Sequence, residues 1–209
     1  AGELTDPQRL LLEHWGVTTV DADARRLSFP YRFLDGHWWK GWQLKPYAAA
    51  YSSFREVLLL DADCYPVRNP EAVFDWPEYR RCGAIFWPDI ESSMILLTRT
   101  AVQTFGVQEF ADRPAESGQL AVNKEQCWRE LHLALHYNAQ ADFTYNILWG
   151  DKDTFPIAWK RLGTDYARMH PTSRGTPHGI QQFDQFGDVL FQHRCTSKFT
   201  LEATAFQST

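Results

Sequence analysis

The stretch FREVLLLDADCYPVRNPEAVF, residues 54–74, joins an apolar run of strand length to an acidic triplet and a helix start. The run EVLLL at residues 56–60 carries its apolar residues consecutively rather than in alternation, which is typical of a strand buried on both faces. Asn69 and Pro70 then predict the cap and the first residue of a helix. Because strands alternating with helices build α/β folds, this stretch indicates the fold class.

Further strands and helices are predicted on both sides of this stretch. Strands are predicted in VTTV (17–20), CGAIFW (82–87), GQLAVN (118–123) and QQFDQFGDVLFQH (181–193), the last as two strands around a turn at Gly187. Helices are predicted in TDPQRLLLEHWG (5–16), QLKPYAAAYSSF (43–54), KEQCWRELHLALHYNAQ (124–140) and DKDTFPIAWKRLG (151–163). The 209 residues are therefore expected to form one α/β domain, a sheet with helical cover. Ligands of such sheets bind beyond the carboxyl ends of the strands, which directs attention to the residues that follow Leu60.

The composition argues against several classes of protein. The chain has 21 basic and 26 acidic residues and a formal net charge of −5, which argues against a nucleic-acid platform. No apolar run approaches the roughly 20 residues that a membrane span needs. The four cysteines lack Cys-x-x-Cys spacing and no Asn-x-Ser/Thr sequon occurs, and both facts favour a reducing compartment.

Asp61 and Asp63 follow the predicted strand at residues 56–60 directly. Side chains two residues apart on an extended segment point the same way, so both carboxylates can converge just past the strand tip. Oxygen ligands of this kind hold Mg²⁺ or Mn²⁺ together with substrate phosphates. The alternative is a turn, in which aspartate is favoured for its local hydrogen bonds.

Two further acidic triplets occur in the chain. Asp21 and Asp23 follow the weaker predicted strand VTTV and are interpreted as a solvated turn or a helix start. Asp151 and Asp153 stand at the head of a predicted helix, where carboxylates act as caps, so they fit either a cap or a site.

His193 ends the apolar segment VLF and is the other candidate ligand. It is either a structural residue or the third ligand of a site with Asp61 and Asp63, and an imidazole in that set favours manganese. Lys198, five residues later, could reach phosphate oxygens as a point charge.

Several blocks of this sequence resemble one family of enzymes. The blocks KPYAAAYSSFREVLLLDADCYPVRNPEAVF, GAIFWPD, ESGQLAVNK, LALHYN, GDKDTFPIAW and LFQHR...KF occur in the matching order. Together they resemble the donor-site region of GT-A glycosyltransferases, more narrowly the α-mannosyltransferases of glycosyltransferase family 71, and distantly the glycogenin-like family 8. The resemblance runs from about Trp42 to Phe199, about three quarters of the chain.

The resemblance implies roles for the metal and diphosphate residues. Asp61 and Asp63 match the Asp-x-Asp motif, which binds the divalent ion, Mn²⁺ or Mg²⁺, and the donor diphosphate. His193 matches a late metal ligand of glycogenin-like enzymes, and Lys198 matches the lysine near the phosphate. Lys45 is shared as well and is expected on the donor side.

The resemblance also implies residues around the sugar. Glu116 belongs, with Ser117, Gly118 and Gln119, to a block that lines the sugar pocket. Asp151 and Asp153 match an acidic motif near the donor sugar and the acceptor. Glu116, Asp151 and Asp153 are therefore the expected catalytic residues, as groups that orient donor and acceptor.

The fold and activity implied are those of a GT-A glycosyltransferase, with a mixed central sheet flanked by helices. GT-A domains open with a strand that grips the nucleotide base, whereas this chain opens on a predicted helix, so that strand is expected to be missing or different. The implied reaction is a metal-dependent, retaining transfer of mannose from GDP-mannose to a glycan hydroxyl. A UDP-sugar donor, as in family 8, and a catalytically silent sugar-nucleotide or glycan-binding module are the alternatives.

The expected partners are the nucleotide-sugar donor and the glycan acceptor. Fungal members of the family work in the Golgi lumen behind an N-terminal anchor. This chain shows no anchor, sequon or disulfide pattern, so the expectation is a bacterial-type cytoplasmic enzyme, with the Golgi lumen as the alternative if an anchor has been removed.

Overall fold

The computed structural model describes residues 4–21, 41–90, 99–108, 114–170 and 173–195. These residues fall into two compact units, one within residues 1–40 and the other within residues 41–209. In the first unit, helix α1 (Asp6–His14) begins after its cap Thr5 and ends before Gly16, as the sequence predicts. The predicted strand at 17–20 is wrong, because these residues lie outside regular secondary structure and Val17 and Val20 are exposed. β-branched residues favour strands mainly through packing against neighbouring strands, and in the described part of this unit no strand is available.

The second unit alternates helices and strands. Its helices are α2 (Leu44–Tyr51), α3 (Pro77–Cys82), α4 (Arg99–Phe105), α5 (Trp128–Ala139), α6 (Ala141–Thr144) and α7 (Thr154–Leu162), with a 3-10 helix at Pro70–Asp75. Its strands are β1 (Glu56–Leu60), β2 (Cys64–Pro66), β3 (Ala84–Pro88), β4 (Ala115–Asn123), β5 (Ala167–Arg168), β6 (Arg174–Thr176), β7 (Gly179–Phe183) and β8 (Val189–His193). The predicted mixed α/β class is confirmed, including the cap at Asn69, whose side chain accepts a hydrogen bond from the Glu71 amide.

A mixed four-stranded sheet has the order β1-β4-β3-β5. The long strand β4 is antiparallel to β1 and to β3, and β3 is parallel to β5. The register between β3 and β4 shifts between Phe86 and Trp87, so that Trp87 pairs with Glu116. Bulges of this kind re-aim side chains, and this one lies beside the expected sugar-pocket block.

A second, antiparallel sheet has the order β2-β8-β7-β6. Cys64 in β2 pairs with His193 in β8, and β7 pairs with β8 as a hairpin around Gly187, as predicted. Only residues 61–63 separate β1, in the first sheet, from β2, in the second. The acidic triplet is therefore the whole connection between the two sheets.

Buried aromatic side chains hold the two sheets together. The five residues of β3 are all buried. The indole Nε1 of Trp87 donates a 2.9 Å hydrogen bond to the Phe183 carbonyl, and the Trp87 ring meets Phe191 edge-on. On the helical side Phe86 packs edge-on against Trp159 of α7. This packing fixes the position of the loop between β1 and β2.

Two details of burial differ from the sequence prediction. In β1 only Val57 is fully buried and the other residues are half-buried, because β1 lies at the edge of the described sheet. The helical pattern of KEQCWRELHLALHYNAQ predicts that Trp128, Leu131 and Leu135 share one apolar face. Leu131 and Leu135 of α5 are buried, but Trp128 at the start of that helix is exposed. Within the described ranges, no helix is both long and apolar enough to span a membrane.

We expect Gly83→Ala to destabilise the protein more than Gly163→Ala. Both glycines end a helix with positive φ, 71° and 69°, so alanine strains the backbone at each by about 1–2 kcal/mol. At Gly83 a new Cβ would also lie 2.9 Å from Gln126 Cβ and 3.0 Å from Cys127 Sγ, whereas at Gly163 nothing lies within 4 Å. Urea unfolding of both variants measures the difference, and equal losses would contradict the packing described around Gly83.

Candidate active site

Asp61, Asp63 and His193 meet where β1 ends. His193 Nε2 lies 3.2 Å from Asp63 Oδ1 and 3.9 Å from Asp61 Oδ2. One ligand atom from each of the three residues lies within 4.8 Å of the other two. Backbone hydrogen bonds hold the triplet on both sides, because Asp61 N donates to Gly118 O and Arg194 N donates to Asp63 O. The structure therefore brings together the three residues predicted as metal ligands.

This group of atoms fits a small divalent cation. Ligand distances of about 2.1 Å place adjacent ligands of an octahedral ion about 3 Å apart, and the His193–Asp63 contact is close to that value. Two carboxylates and one imidazole are a mixed oxygen and nitrogen set, which suits Mn²⁺ better than Ca²⁺. The His193 side chain is nearly buried, whereas Asp61 and Asp63 keep part of their surface exposed. The open side of the cluster is thus the side of the two aspartates.

Lys45, in the first turn of α2, faces two of the acidic residues. Its Nζ lies 2.9 Å from Asp61 Oδ2 and 3.4 Å from Asp151 Oδ2, and it donates to the Ser117 hydroxyl at 3.0 Å. Burial lowers the pKa of Lys45, but the charges of Asp151 and Asp61 outweigh it and hold the pKa above its ordinary value. Burial raises the pKa of Asp61, and Lys45 opposes this shift. Lys45 is therefore a charged group that balances two carboxylates.

Asp151 is the member of the third acidic triplet that joins this group. It is buried, and its Oδ2 makes no hydrogen bond with the described residues although Lys45 lies nearby. The preceding Gly150 has φ of 77° and packs so closely on the Trp42 ring that a Cβ would lie 2.6 Å from it. This contact positions the turn that carries Asp151, whose buried Oδ2 lies beside Lys45 Nζ.

Asp153 belongs to a different hydrogen-bond network. Its Oδ1 accepts from Ala115 N at 3.1 Å, and its Oδ2 accepts from Lys152 Nζ at 3.0 Å. Lys152 also lies 3.6 Å from Asp89 Oδ2. Burial raises the pKa of Asp153, and Lys152 opposes this shift. Asp153, the residue before α7, thus connects that helix to the start of β4. No sequence feature indicated Lys152, because its contacts with Asp153 and Asp89 are visible only in the fold.

Glu116 lies behind His193, on the side away from the aspartates. Its Oε1 accepts from Gly118 N at 2.7 Å and lies 3.2 Å from His193 Nδ1. Burial raises the pKa of Glu116, but His193 and the Gly118 amide outweigh it and hold the pKa below its usual value. Burial lowers the pKa of His193, and Glu116 together with the two aspartates raises it above its usual value. The two groups form a buried pair.

Gln119 and Cys64 lie next to this pair. The Cys64 thiol donates to Gln119 Oε1 at 3.3 Å, and both residues are buried. Burial raises the pKa of Cys64, so this thiol stays protonated. The sequence analysis assigned no site role to Cys64. Its position directly after Asp63 was the sequence feature that could have indicated that it lies near the cluster of Asp61, Asp63 and His193.

Some predicted residues lie elsewhere. Lys198 and Asp23 lie outside the described residues, so their predicted roles stay predictions. Asp21 lies in the first compact unit, outside the described cluster of candidate ligands.

The sequence was also compared with known proteins. It matches a family model described as "Mannosyltransferase putative" over residues 17–106 and 98–187, which is most of the chain. The chain belongs to this mannosyltransferase family. Membership confirms the resemblance drawn from the sequence blocks.

Individual relatives of this mannosyltransferase family member are yeast proteins. It is 26% identical to alpha-1,2-mannosyltransferase MNN2 of Saccharomyces cerevisiae, over 86% of this chain and 37% of that protein. It is 29% identical to alpha-1,2-mannosyltransferase MNN21 of Candida albicans, over 62% of this chain and 26% of that protein. The chain spans between about a quarter and somewhat over a third of the length of these relatives. Their fungal origin gives no support to the expected bacterial-type cytoplasmic location.

We expect Lys45→Met to lower the free energy of unfolding by roughly 3–5 kcal/mol, because it leaves Asp61 and Asp151 facing each other without their cation. Lys45→Arg should lose less, since it keeps the charge. Lys160→Met is the control, because Lys160 is exposed, where charge contacts such as the one with the Tyr166 ring contribute about 0.5–1 kcal/mol each. Urea unfolding measures all three, and a loss at position 45 no larger than at position 160 would contradict this account.

Proposed function

We propose that this chain is the catalytic region of a metal-dependent, retaining α-mannosyltransferase with a GT-A fold, which transfers mannose from GDP-mannose to a glycan hydroxyl. The observation that carries the proposal is the convergence of Asp61, Asp63 and His193 at the end of β1, next to Lys45. Family membership supplies the reaction class, since the matched relatives are named alpha-1,2-mannosyltransferases. The mixed sheet with helices on it is compatible with a GT-A fold.

Asp61, Asp63 and His193 would hold the divalent ion, Mn²⁺ or Mg²⁺, with the diphosphate of the donor on its open side. A bound ion supplies Lewis-acid stabilisation of the charge that grows on the leaving diphosphate. Lys45 neutralises Asp61 and Asp151 from the protein side, so that the cluster does not repel the donor diphosphate. Lys198 is proposed to add a further positive charge at the phosphate.

Asp151 is proposed to orient the donor sugar. Its buried Oδ2, which makes no hydrogen bond with the described residues, would accept one from a sugar hydroxyl. Such a bond would relieve the cost of a buried carboxylate oxygen without a donor. Gly118 and Gln119 stay proposed members of the sugar pocket, because they lie on β4 beside the aspartates.

Retention is proposed to proceed by attack from the side of the leaving group. The acceptor oxygen forms the new bond to the anomeric carbon as the bond from that carbon to the diphosphate breaks, and a diphosphate oxygen takes the hydroxyl proton. Asp153 acts through position rather than as a nucleophile, since hydrogen bonds from Ala115 and Lys152 engage both of its oxygens. Asp153 would thus orient the loop that presents Asp151 to donor and acceptor.

The Golgi lumen is the proposed location in preference to the cytoplasm. The support is the fungal origin of the relatives named above.

We expect Asp63→Asn to weaken Mn²⁺ binding more than about 100-fold, because a direct ligand contributes more than the 10–100-fold typical of outer partners. Mannose transfer to an α-mannoside acceptor should fall in parallel. Asp21→Asn, in the look-alike triplet of the first unit, is the matched control and should bind Mn²⁺ as the wild type does. The affinity is measured by adding Mn²⁺ to the protein and recording the unbound Mn²⁺ by electron paramagnetic resonance. Wild-type Mn²⁺ binding and wild-type mannose transfer by Asp63→Asn would refute the metal site.

A second experiment tests the donor. In the presence of Mn²⁺, GDP and GDP-mannose should raise the melting temperature more than UDP and UDP-sugars at equal concentration, because at a given concentration the ligand of higher affinity stabilises the folded state more. Donor hydrolysis without acceptor should accompany binding. Preference for UDP would favour the family-8-like alternative, and binding without turnover on a broad set of acceptors would favour a silent binding module.

A further inference from the structure

Two residues of β4 lie against the imidazole of His193. Glu116 Oε1 lies 3.2 Å from Nδ1. The ring also lies against Gly118, where an added Cβ would be 2.4 Å from Nδ1 and 2.7 Å from Cε1. Only glycine leaves room for the ring in this position.

The Glu116 side chain is also held by its own strand. The same oxygen, Oε1, accepts a 2.7 Å hydrogen bond from the amide of Gly118, two residues later in β4. The β-bulge at Trp87, which pairs with Glu116, adds a second constraint on this part of the strand. Contacts within the sheet therefore hold the carboxylate independently of its contact with His193.

The orientation of the ring has a chemical consequence. A carboxylate next to Nδ1 favours the tautomer with hydrogen on Nδ1, which leaves the lone pair of Nε2 free. Nε2 is the nitrogen that faces Asp63 and Asp61, at 3.2 and 3.9 Å. The Nδ1–Glu116 contact is of hydrogen-bond length but poorly aligned, and such contacts tighten when a ligand binds.

We propose that Glu116 and Gly118 are positioning residues that act through His193: Glu116 sets its tautomer and Gly118 sets the place of its ring, so that Nε2 is presented to a divalent cation. The inference rests on the proposed metal site and assigns Glu116 to the histidine rather than to the sugar. It differs from the expectation that Glu116 orients donor and acceptor directly. Glu116 and Gly118 would then affect catalysis mainly through metal affinity.

The first test compares three variants at position 116 with Mn²⁺ alone as the probe. Glu116→Ala should weaken Mn²⁺ binding 10–100-fold, the usual loss for an outer partner of a metal-bound histidine. Glu116→Gln keeps an oxygen that accepts from Nδ1 and should recover most of that affinity, whereas Glu116→Asp, which is shorter, should recover less. Equal affinities for wild type and Glu116→Ala would overturn the proposal.

The second test reads the tautomer without metal. The ¹⁵N chemical shifts of the His193 ring, recorded at alkaline pH where the imidazole is neutral, should show hydrogen on Nδ1 in the wild type and a mixture in Glu116→Ala. An unchanged tautomer would refute the role given to Glu116. If the wild type binds no Mn²⁺, the metal proposal fails, while this measurement still decides whether Glu116 sets the tautomer.

The third test uses a matched pair of glycines in strands. Gly118→Ala should weaken Mn²⁺ binding at least about tenfold, because the methyl group displaces the ring of a ligand. Gly175→Ala in β6 should leave binding unchanged, because the nearest atom to its new Cβ is 4.0 Å away. Circular dichroism confirms that each variant is folded. Wild-type affinity in a folded Gly118→Ala would contradict the close approach of the ring.

Discussion

The arrangement of this site depends on one short connection. Residues 61–63 lead from β1, in the mixed sheet, to β2, in the antiparallel sheet, and these three residues are the whole connection between the two strands. Backbone hydrogen bonds from Asp61 to Gly118 and from Arg194 to Asp63 fasten the connection to β4 and to the end of β8. Because both sheets are fixed by the core around Trp87, the two carboxylates and His193 must meet at the junction.

The second constraint is electrostatic. The junction gathers buried or half-buried carboxylates from three parts of the chain, and such groups are costly unless they are paired. The protein divides them between partners: Lys45 balances Asp61 and Asp151, His193 lies between Glu116 and Asp63, and Lys152 balances Asp153. With the charges divided in this way, Asp61 and Asp63 keep part of their side-chain surface exposed.

Local sequence was a good guide wherever the governing interaction was local. The cap at Asn69, the strand β1 and the helix that follows Asp153 were predicted because caps, strand length and apolar patterning act within a few residues. The predictions failed where long-range packing decided. The segment 17–20 has strand-forming residues without a described partner strand, and β1 is half-buried because it lies at an edge. The two aspartates of the third acidic triplet were predicted together but have different partners: Asp151 lies near Lys45, whereas Asp153 accepts hydrogen bonds from Ala115 N and Lys152 Nζ.

The sequence by itself determined the α/β class and the family resemblance, because strand alternation and the order of the sequence blocks can be read from the chain directly. Asp61 and Asp63 do come together, but they do so across the turn that was the alternative, closed by a hydrogen bond from Cys64 N to Asp61 O, and not along an extended segment. Only the tertiary structure decided which distant residues complete the site. His193 is 130 positions after Asp63 and meets it because β2 pairs with β8. Glu116 turns to His193 because β4 runs between β1 and β3 with a bulge at Trp87, and the pairing of strands across a sheet is set by the whole core rather than by neighbouring residues.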